Sequence, residues 1–321
     1  LDKAKLMALS DIEFSDIYLG KTKRYLAGVK GGVNPLPAPD SIKEDLDSLW
    51  RECEEANLNS HNRETTVSWN EMFFRISLLQ GLGEKTYVVR AMPKSVPNLD
   101  DLGIHPAIKK RVLQTNISGL IVIAGEFASG KTTTASAIVK ERLSLYGGVA
   151  ITIEDPPEMP LEGTHNNGIC YQTTVDENEG ETFSFLTKMA ARWAPDIIFL
   201  SEIRTAETAV EALKVALAGR LVICTLHAAN VVASIERLHA LANTSHDQQG
   251  EISSLLASGL CSVVHQSLEK DPSPHRSNLT TEFLFLNEEG AKGARSMIKA
   301  RRFGQLGTEI TLQLNKVLGE K

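Results

Sequence analysis

The fold is decided by residues 119–134, GLIVIAGEFASGKTTT, in which an apolar run leads into a glycine-rich loop and then into a helical pattern. The segment from Gly125 to Thr132, called the phosphate loop below, fits the pattern G-x-x-x-x-G-K-[ST] between a strand and a helix. Its glycines permit a tight turn whose backbone N–H groups surround an anion, and the positive end of the following helix points at the same spot. The segment therefore predicts a nucleoside-phosphate site.

Two side chains of the phosphate loop have chemical tasks. Lys131 can reach the β- and γ-phosphates of a nucleotide, and the Thr132 hydroxyl can hold Mg²⁺. The other loop positions predicted to contact the nucleotide are Gly125, Ala128, Ser129, Gly130 and Thr133. The alternative is a glycine turn that happens to precede a helix, but a strand, a loop and a helix in this order favour the phosphate site.

Short apolar runs alternate with helical patterns downstream of residue 104. The predicted strands cover residues 119–125, 149–153, 196–200 and 221–226. The predicted helices cover residues 131–145, 182–193, 206–218 and 231–242. This alternation is typical of a parallel sheet with both faces covered. Residues 104–321 are therefore predicted to form an α/β domain with a mainly parallel sheet, while the tail from about residue 271 is polar and then weakly helical.

A smaller domain is predicted before it, over residues 1–95. Residues 41–56 have the pattern of an amphipathic helix, and residues 71–79 and 85–92 are β-like, so the domain is predicted to be α+β. The stretch PKSVPNLDDLG (93–103) contains two prolines and several acids. Residues 96–103 are therefore predicted to be the linker.

Composition excludes several classes of protein. The chain has 321 residues, with 34 Lys or Arg against 40 Asp or Glu and a formal net charge of −6, which disfavours coating nucleic acid by bulk charge. No apolar run approaches the ~20 residues that span a bilayer, so we do not expect an integral membrane protein, and residues 1–14 lack the apolar core of a signal peptide. The four cysteines form no C-x-x-C pair and are expected to be reduced thiols of a cytoplasmic protein. The histidines show no metal-binding spacing, so we do not expect metal chemistry through protein ligands.

Ionisable residues come just after three of the four apolar runs. Glu154 and Asp155 follow the second run, Glu202 follows the third and His227 follows the fourth. Ligands of parallel α/β sheets bind beyond the carboxyl ends of the strands, so we expect these side chains near the phosphate loop. Acids beside a triphosphate can coordinate Mg²⁺ through water or polarise the attacking water. Taken singly, each acid is more often a helix-start residue and a lone histidine is more often structural.

Arg75 and Arg90 lie in the two β-like runs of the smaller domain, on either side of the glycine-rich residues 81–84. A hairpin closed symmetrically in that turn places Arg75 opposite Arg90. Like charges in this position cost up to about 1 kcal/mol, and an anion near them would convert the repulsion into binding. Two solvated surface arginines are the other interpretation, and the pattern alone leaves both open.

These motifs resemble, in order and spacing, those of the hexameric motor ATPases of type II secretion, type IV secretion and type IV pili, the PilT-like group. The segments that carry the resemblance are SGLIVIAGEFASGKTTT (118–134), the acidic box AITIEDPPE (150–158), the Walker B segment PDIIFLSEIR (195–204) with Glu207-Thr208, the histidine box TLH (225–227) with IERL (235–238), and outlying matches at residues 15–17 and at Gln266. The resemblance covers most of the chain.

The resemblance implies an N-terminal PAS-like domain, a RecA-like P-loop ATPase domain and a homohexamer with the nucleotide between the two domains. It implies ATP and Mg²⁺ as cofactors, Glu154 as the catalytic base, Glu202 as the acid on the Mg²⁺ side and His227 as the γ-phosphate sensor. Arg75 and Arg90 fall at the positions of arginines that reach the triphosphate. The further nucleotide-binding residues that it implies are Asp155, Glu158, Arg204 and Arg237.

For function, the resemblance implies ATP hydrolysis that drives type IV pilus dynamics or type IV secretion and conjugation. The partners would be inner-membrane platform or secretion-channel proteins, with peripheral attachment to the membrane and no direct binding of nucleic acid. Ala128, Ser201, Thr205 and Arg220 depart from the family pattern and indicate a divergent member. The tetracysteine zinc insertion of the assembly and type II secretion branch is missing, which favours the shorter branch of retraction motors and type IV secretion ATPases.

Other classes of protein use the same loop. A small-molecule kinase needs an arginine-rich lid, and the stretch PPEMPLEGTHNNG after Asp155 contains no arginine. A RecA-like nucleic-acid translocase is disfavoured by the acidic balance and by an aromatic content of 6%. A non-catalytic nucleotide switch would bind ATP without turnover.

Overall fold

The computed structural model describes residues 8–29, 34–59, 64–243, 250–270, 277–287 and 291–319. The chain folds into two compact units. Unit 1 comprises Leu1–Ser95 together with the segments Pro156–Pro160 and Asp176–Glu179. Unit 2 comprises Val96–Asp155, Leu161–Val175 and Gly180–Lys321.

Unit 1, in its described residues, is an antiparallel sheet with one long helix. Its strands are β1 (Asp16–Gly20), β2 (Arg24–Ala27), β3 (Leu36–Pro37), β4 (Glu64–Trp69), β5 (Met72–Leu79) and β6 (Thr86–Ala91), and its helix is α1 (Lys43–Asn59). The strands lie in the order β3-β2-β1-β6-β5-β4. Helix α1 begins two residues later than predicted because a 3₁₀ turn over Asp40–Ile42 precedes it.

One face of this sheet is buried and the other is not. Ile17 of β1 and Phe74 of β5 are fully buried in a core that includes Leu46 and Leu49 of α1. Side chains alternate between the two faces of a strand, so the neighbours of these core residues point away from α1. The alternation places the predicted arginines of β5 and β6 on the face opposite the helix.

The hairpin of β5 and β6 has the register predicted from the sequence. Arg75 and Arg90 are directly opposite each other in the antiparallel pairing. The turn between the two strands spans residues 80–85 and contains two glycines. The predicted juxtaposition of two positive charges is therefore confirmed.

Unit 2, in its described residues, has an eight-stranded sheet flanked by helices. The strands are β7 (Gly119–Gly125), β8 (Gly148–Glu154), β9 (Gly163–His165), β10 (Gly168–Thr174), β11 (Ile197–Leu200), β12 (Leu221–His227), β13 (Leu260–Lys270) and β14 (Ser277–Phe285). The helices are α2 (Pro106–Val112), α3 (Lys131–Tyr146), α4 (Phe183–Trp193), α5 (Ala206–Leu217), α6 (Val231–Ala242), α7 (Glu251–Gly259), α8 (Lys292–Lys299) and α9 (Leu306–Gly319). The strand order is β14-β13-β7-β12-β11-β8-β10-β9.

The sheet of unit 2 is mixed, whereas the sequence predicted a mainly parallel sheet. The strands from β13 to β10 pair in parallel, but β14 and β9 run antiparallel to their neighbours. Only two residues separate β9 from β10, and Asn166 adopts a left-handed φ of 48° there. So short a connection permits a hairpin but not a parallel crossover. Strand β14 lies in the first part of the tail that was predicted to be polar and then weakly helical, and helices α8 and α9 follow it. Residues 271–276 of this tail lie outside the described residues.

The central strands and their helices match the predicted pattern closely. All seven residues of β7 are buried, as expected for a strand covered on both faces. Helices α4, α5 and α6 begin after Thr182, Thr205 and Asn230, whose side-chain oxygens accept hydrogen bonds from N–H groups of the first turn. These caps fix where each helix starts relative to the strand before it.

Residues 96–103 belong to unit 2. Val96 and Leu99 are buried, and the Lys140 ammonium of α3 donates to the Val96 carbonyl at 2.7 Å.

No helix within the described ranges has the length and hydropathy needed to cross a bilayer.

Candidate functional site

The phosphate loop joins the end of β7 to the start of α3. Gly125 has a φ of +157°, and a Cβ atom built on it would lie 2.3 Å from the backbone oxygen of Gln266 and 2.5 Å from Ser129 Oγ. Gly130 has a left-handed φ of +82° immediately before α3. Both positions therefore need glycine, one because β13 approaches closely and both because of their backbone conformation.

Ala128 stands where related loops often carry glycine. It adopts a left-handed φ of 59°, a conformation that costs a residue with a Cβ about 1–2 kcal/mol. The loop thus keeps the backbone path of a glycine-rich turn despite the substitution. The rest of the loop must supply the stabilisation that offsets this cost.

Two polar side chains of the phosphate loop donate hydrogen bonds to the same backbone carbonyl oxygen. The Lys131 ammonium donates to the Glu126 backbone oxygen at 2.6 Å, and the Ser129 hydroxyl donates to the same oxygen at 2.8 Å. Gln266 Nε2 on β13 donates to the Ser129 carbonyl at 2.5 Å. The lysine is buried inside the loop, so an anion there would meet its charge in a low-dielectric setting.

Helix α3 begins where a phosphate would bind. Gly130 at its N-cap has no side chain to accept from the first-turn N–H groups, and Thr132 and Thr133 lie in that first turn, half-buried. In the part of the chain that the structure describes, no group of three or more His, Cys, Asp or Glu side chains could hold a metal. A Mg²⁺ ion would therefore depend on Thr132, Glu202, phosphate oxygens and water, a donor set that suits it.

The acidic and basic residues predicted at the strand ends meet at one edge of the sheet. Glu202 Oε1 lies 3.9 Å from His227 Nε2, and Glu202 Oε2 accepts from Arg204 Nε at 2.8 Å. Arg204 in turn lies 3.7 Å from Asp155 Oδ2. Asp155 directly follows Glu154, the last residue of β8. Parallel pairing brings these strand ends beside the end of β7, where the phosphate loop starts.

Glu154 is fully buried. Its Oε1 atom accepts hydrogen bonds from Thr152 Oγ1 at 2.6 Å and from Gln172 Nε2 at 2.7 Å. A buried carboxylate needs such donors because burial without hydrogen bonds would cost several kcal/mol. The group is thus held in one place at the sheet edge.

His227 contacts the phosphate loop through its ring. The imidazole stacks on Phe127 with the ring centroids 6.3 Å apart and the planes 8° apart. Burial, followed by the positive charge of Lys131, lowers the pKa of His227 below its usual 6.5, and Arg237 of α6 acts in the same direction. The ring is therefore neutral at pH 7, which leaves it able to donate one hydrogen bond and accept another.

The remaining predicted residues belong to unit 1. Arg75 pairs with Glu64 at 2.5 Å and lies 3.4 Å from Glu158, which is in the unit 1 segment after β8. Arg90 pairs with Asp16 at 2.7 Å, and its side chain is 62% exposed. The two arginines are thus side by side, each with a carboxylate partner.

Two residues at the site escaped sequence analysis. Gln172, in a strand that was not predicted, contacts Glu154 from β10, and no motif marks it. Phe127 stands at a position of the phosphate-loop motif where any residue is allowed, so the motif does not mark it. Its side chain is 86% exposed and stacks on His227. An aromatic residue at the tip of a phosphate loop was the one available signal.

Comparisons with known proteins identify relatives of this chain. A family model described as "Type II/IV secretion system protein" matches residues 55–314. The chain is 34% identical over 167 residues to the competence protein ComGA of Bacillus subtilis, covering 51% of this chain and 45% of that protein. It is 33% identical over 229 residues to the type IV pilus assembly ATPase PilB of Thermus thermophilus, covering 69% of this chain and 24% of that protein.

Among solved structures, the pilus retraction motor PilT with bound ADP superposes with a TM-score of 0.76 at 23% identity. The superposition covers 94% of this chain and 87% of that one, so the two share the α/β fold. The chain spans less than half the length of the two curated relatives above.

Proposed function

The chain belongs to the type II/IV secretion system protein family, and from that premise we propose that it is a motor ATPase. It hydrolyses ATP to drive type IV pilus dynamics, type IV secretion or conjugation. In this proposal unit 1 is PAS-like, unit 2 is RecA-like, and six copies form a ring attached peripherally to the cytoplasmic side of the inner membrane. Its partners are platform or secretion-channel proteins rather than nucleic acid.

The observation that carries the proposal is the meeting of the strand-end residues with the phosphate loop. Glu202, Arg204 and Asp155 form one charged chain beside His227, and His227 stacks on the loop itself. Such a cluster beside a phosphate-binding turn suits phosphoryl transfer, in which catalysis consists mainly of positioning and charge stabilisation. Two names support the choice of nucleotide: PilB is called an ATPase and PilT was solved with ADP.

Each side chain has a proposed task. Glu154 accepts the proton of the attacking water, Lys131 stabilises charge on the β- and γ-phosphates, and neutral His227 contacts the γ-phosphate. Thr132 and Glu202 would hold Mg²⁺, partly through water, and the bound ion would neutralise charge on the phosphate oxygens. The other nucleotide contacts are proposed for Gly125, Ala128, Ser129, Gly130, Thr133, Asp155, Glu158, Arg204 and Arg237, with Arg75 and Arg90 adding positive charge to the triphosphate.

Replacing Glu154 with glutamine tests the proposal. Glutamine has the same size, and its carbonyl oxygen can still accept from Thr152 and Gln172, but it cannot take a proton. We expect phosphate release to fall by about 10²–10⁴-fold with little change in the affinity for ATP. The matched control is Glu251→Gln, because Glu251 is exposed at the start of α7 and belongs to none of the motifs above, and this variant should keep full activity.

Two outcomes would contradict the proposal. Undiminished ATP hydrolysis by Glu154→Gln would show that Glu154 is not the catalytic base. Strict dependence of phosphate transfer on an added acceptor in the unaltered protein would point to a kinase, whereas release of phosphate into water supports an ATPase.

A further inference from the structure

The side-chain amide of Gln172 is held at its oxygen end by two backbone donors. Its Oε1 atom accepts from the N–H of Leu161 at 2.8 Å and from the N–H of Glu162 at 2.7 Å. In return, the Gln172 backbone N–H donates to Glu162 Oε2 at 2.6 Å. Because an N–H group can only donate, these contacts fix which end of the amide is oxygen.

The nitrogen end of the same amide points at the proposed base. Gln172 lies directly beside Thr152 in the parallel pairing of β10 with β8, and Glu154 is on the same face of β8, two residues on. Gln172 Nε2 reaches Glu154 Oε1 at 2.7 Å, and the Thr152 hydroxyl reaches the same oxygen at 2.6 Å. The carboxylate is therefore clamped by two donors, one from its own strand and one from the next.

We propose that Gln172 is a positioning residue that sets the direction of the Glu154 carboxylate for catalysis. This inference rests on the proposed role of Glu154 as the base. Hydrogen bonds to a carboxylate are short and strong, so this one restricts the rotation of the Glu154 side chain. A base that is misplaced by about 1 Å loses up to about 10²-fold in rate, even where substrate binding is intact.

Two variants of the full chain separate this role from a structural one. Gln172→Met keeps the length of the side chain and removes every hydrogen bond of the amide. Gln172→Glu retains oxygens that can accept from Leu161 and Glu162 but replaces the donor that faces Glu154 with an acceptor. Assayed with Mg-ATP at pH 8, both should lower kcat by about ten- to a hundredfold and change KM for ATP by less than about threefold.

A third variant measures the second donor of the clamp. Thr152→Val is isosteric and removes only the hydroxyl that reaches Glu154. It should also lower kcat, while the contacts of Gln172 with residues 161 and 162 stay unchanged. Tyr171→Phe is the matched control, because Tyr171 neighbours Gln172 on β10 and is 51% exposed, and it should leave kcat unchanged.

The outcomes separate this inference from the proposed function. If Glu154→Gln abolishes turnover while both Gln172 variants keep the kcat of the unaltered protein, the positioning role is wrong and the base assignment stands. A loss that appears in KM alone also overturns it. If Glu154→Gln keeps full turnover, the base assignment fails and this inference falls with it. Should Gln172→Met not fold, Gln172→Glu decides, since its acceptor atoms preserve the contacts to residues 161 and 162.

Discussion

Replacing Gly125 with alanine tests how tightly β13 packs against the phosphate loop. The new Cβ would lie 2.3 Å from the backbone oxygen of Gln266 and 2.5 Å from Ser129 Oγ. The hydroxyl can rotate away, but the oxygen belongs to a strand paired on both sides and cannot move cheaply. Overpacking of this kind costs about 1–3 kcal/mol. The φ of +157° adds a further ~1–3 kcal/mol for a residue other than glycine.

Gly219→Ala is the matched control for this substitution. Gly219 is also in unit 2 and has a φ of +91°, but a Cβ there would meet nothing within 4 Å. It should therefore lose only the conformational part, about 1–2 kcal/mol. We expect urea unfolding to show Gly125→Ala losing about 2–6 kcal/mol of the free energy of unfolding of unit 2, clearly more than the control. A loss at Gly125 equal to or smaller than that at Gly219 would refute the close approach of β13.

Two further predictions concern the loop and the histidine beside it. Gln266→Leu removes the hydrogen bond to the buried Ser129 carbonyl. The affinity of the chain for a fluorescent nucleotide should then fall about fivefold or more, which is equivalent to about 1 kcal/mol of binding free energy. An unchanged affinity would contradict the importance of this contact for the loop. The pKa of His227 lies below 6.5 because of burial and then Lys131; an NMR titration should find it there, and Lys131→Met should raise it. Because the folded state then binds fewer protons than the unfolded one, stability falls as pH drops from about 6.5 towards the folded pKa, and His227→Asn should remove that part of the slope. A His227 pKa above 6.5 would reverse the sign and disprove the prediction.

Sequence patterns were informative where the structure is most buried. Strand β7 has the predicted bounds because a strand covered on both faces reads as one apolar run. Helices α4, α5 and α6 start within one residue of prediction because Thr182, Thr205 and Asn230 cap them through local hydrogen bonds. The register that pairs Arg75 with Arg90 was also predictable, since a short hairpin loop sets the pairing of its strands.

The sheet edges and the support of Glu154 could not be read in the same way. Strand β9 has only three residues, β10 ends in polar residues, and β14 is mostly polar before its apolar end at Phe283–Phe285, so their patterns resemble loops. The contact of Gln172 with Glu154 depends on the pairing of β10 with β8 and joins residues 18 positions apart, so the sequence around either residue does not indicate it. A side-chain hydrogen bond between neighbouring strands does not produce a repeating pattern of residue types, so the sequence alone does not reveal it.

The most direct test of the central claim is a structure of the full chain with Mg²⁺ and a slowly hydrolysed ATP analogue. We predict that the triphosphate occupies the phosphate loop with its γ-phosphate beside Lys131. Glu154, Glu202 and His227 should then lie within hydrogen-bond reach of the γ-phosphate, its Mg²⁺ or the attacking water, directly or through one water molecule. A nucleotide bound away from the loop, or a γ-phosphate that none of these three side chains approaches, would contradict the account.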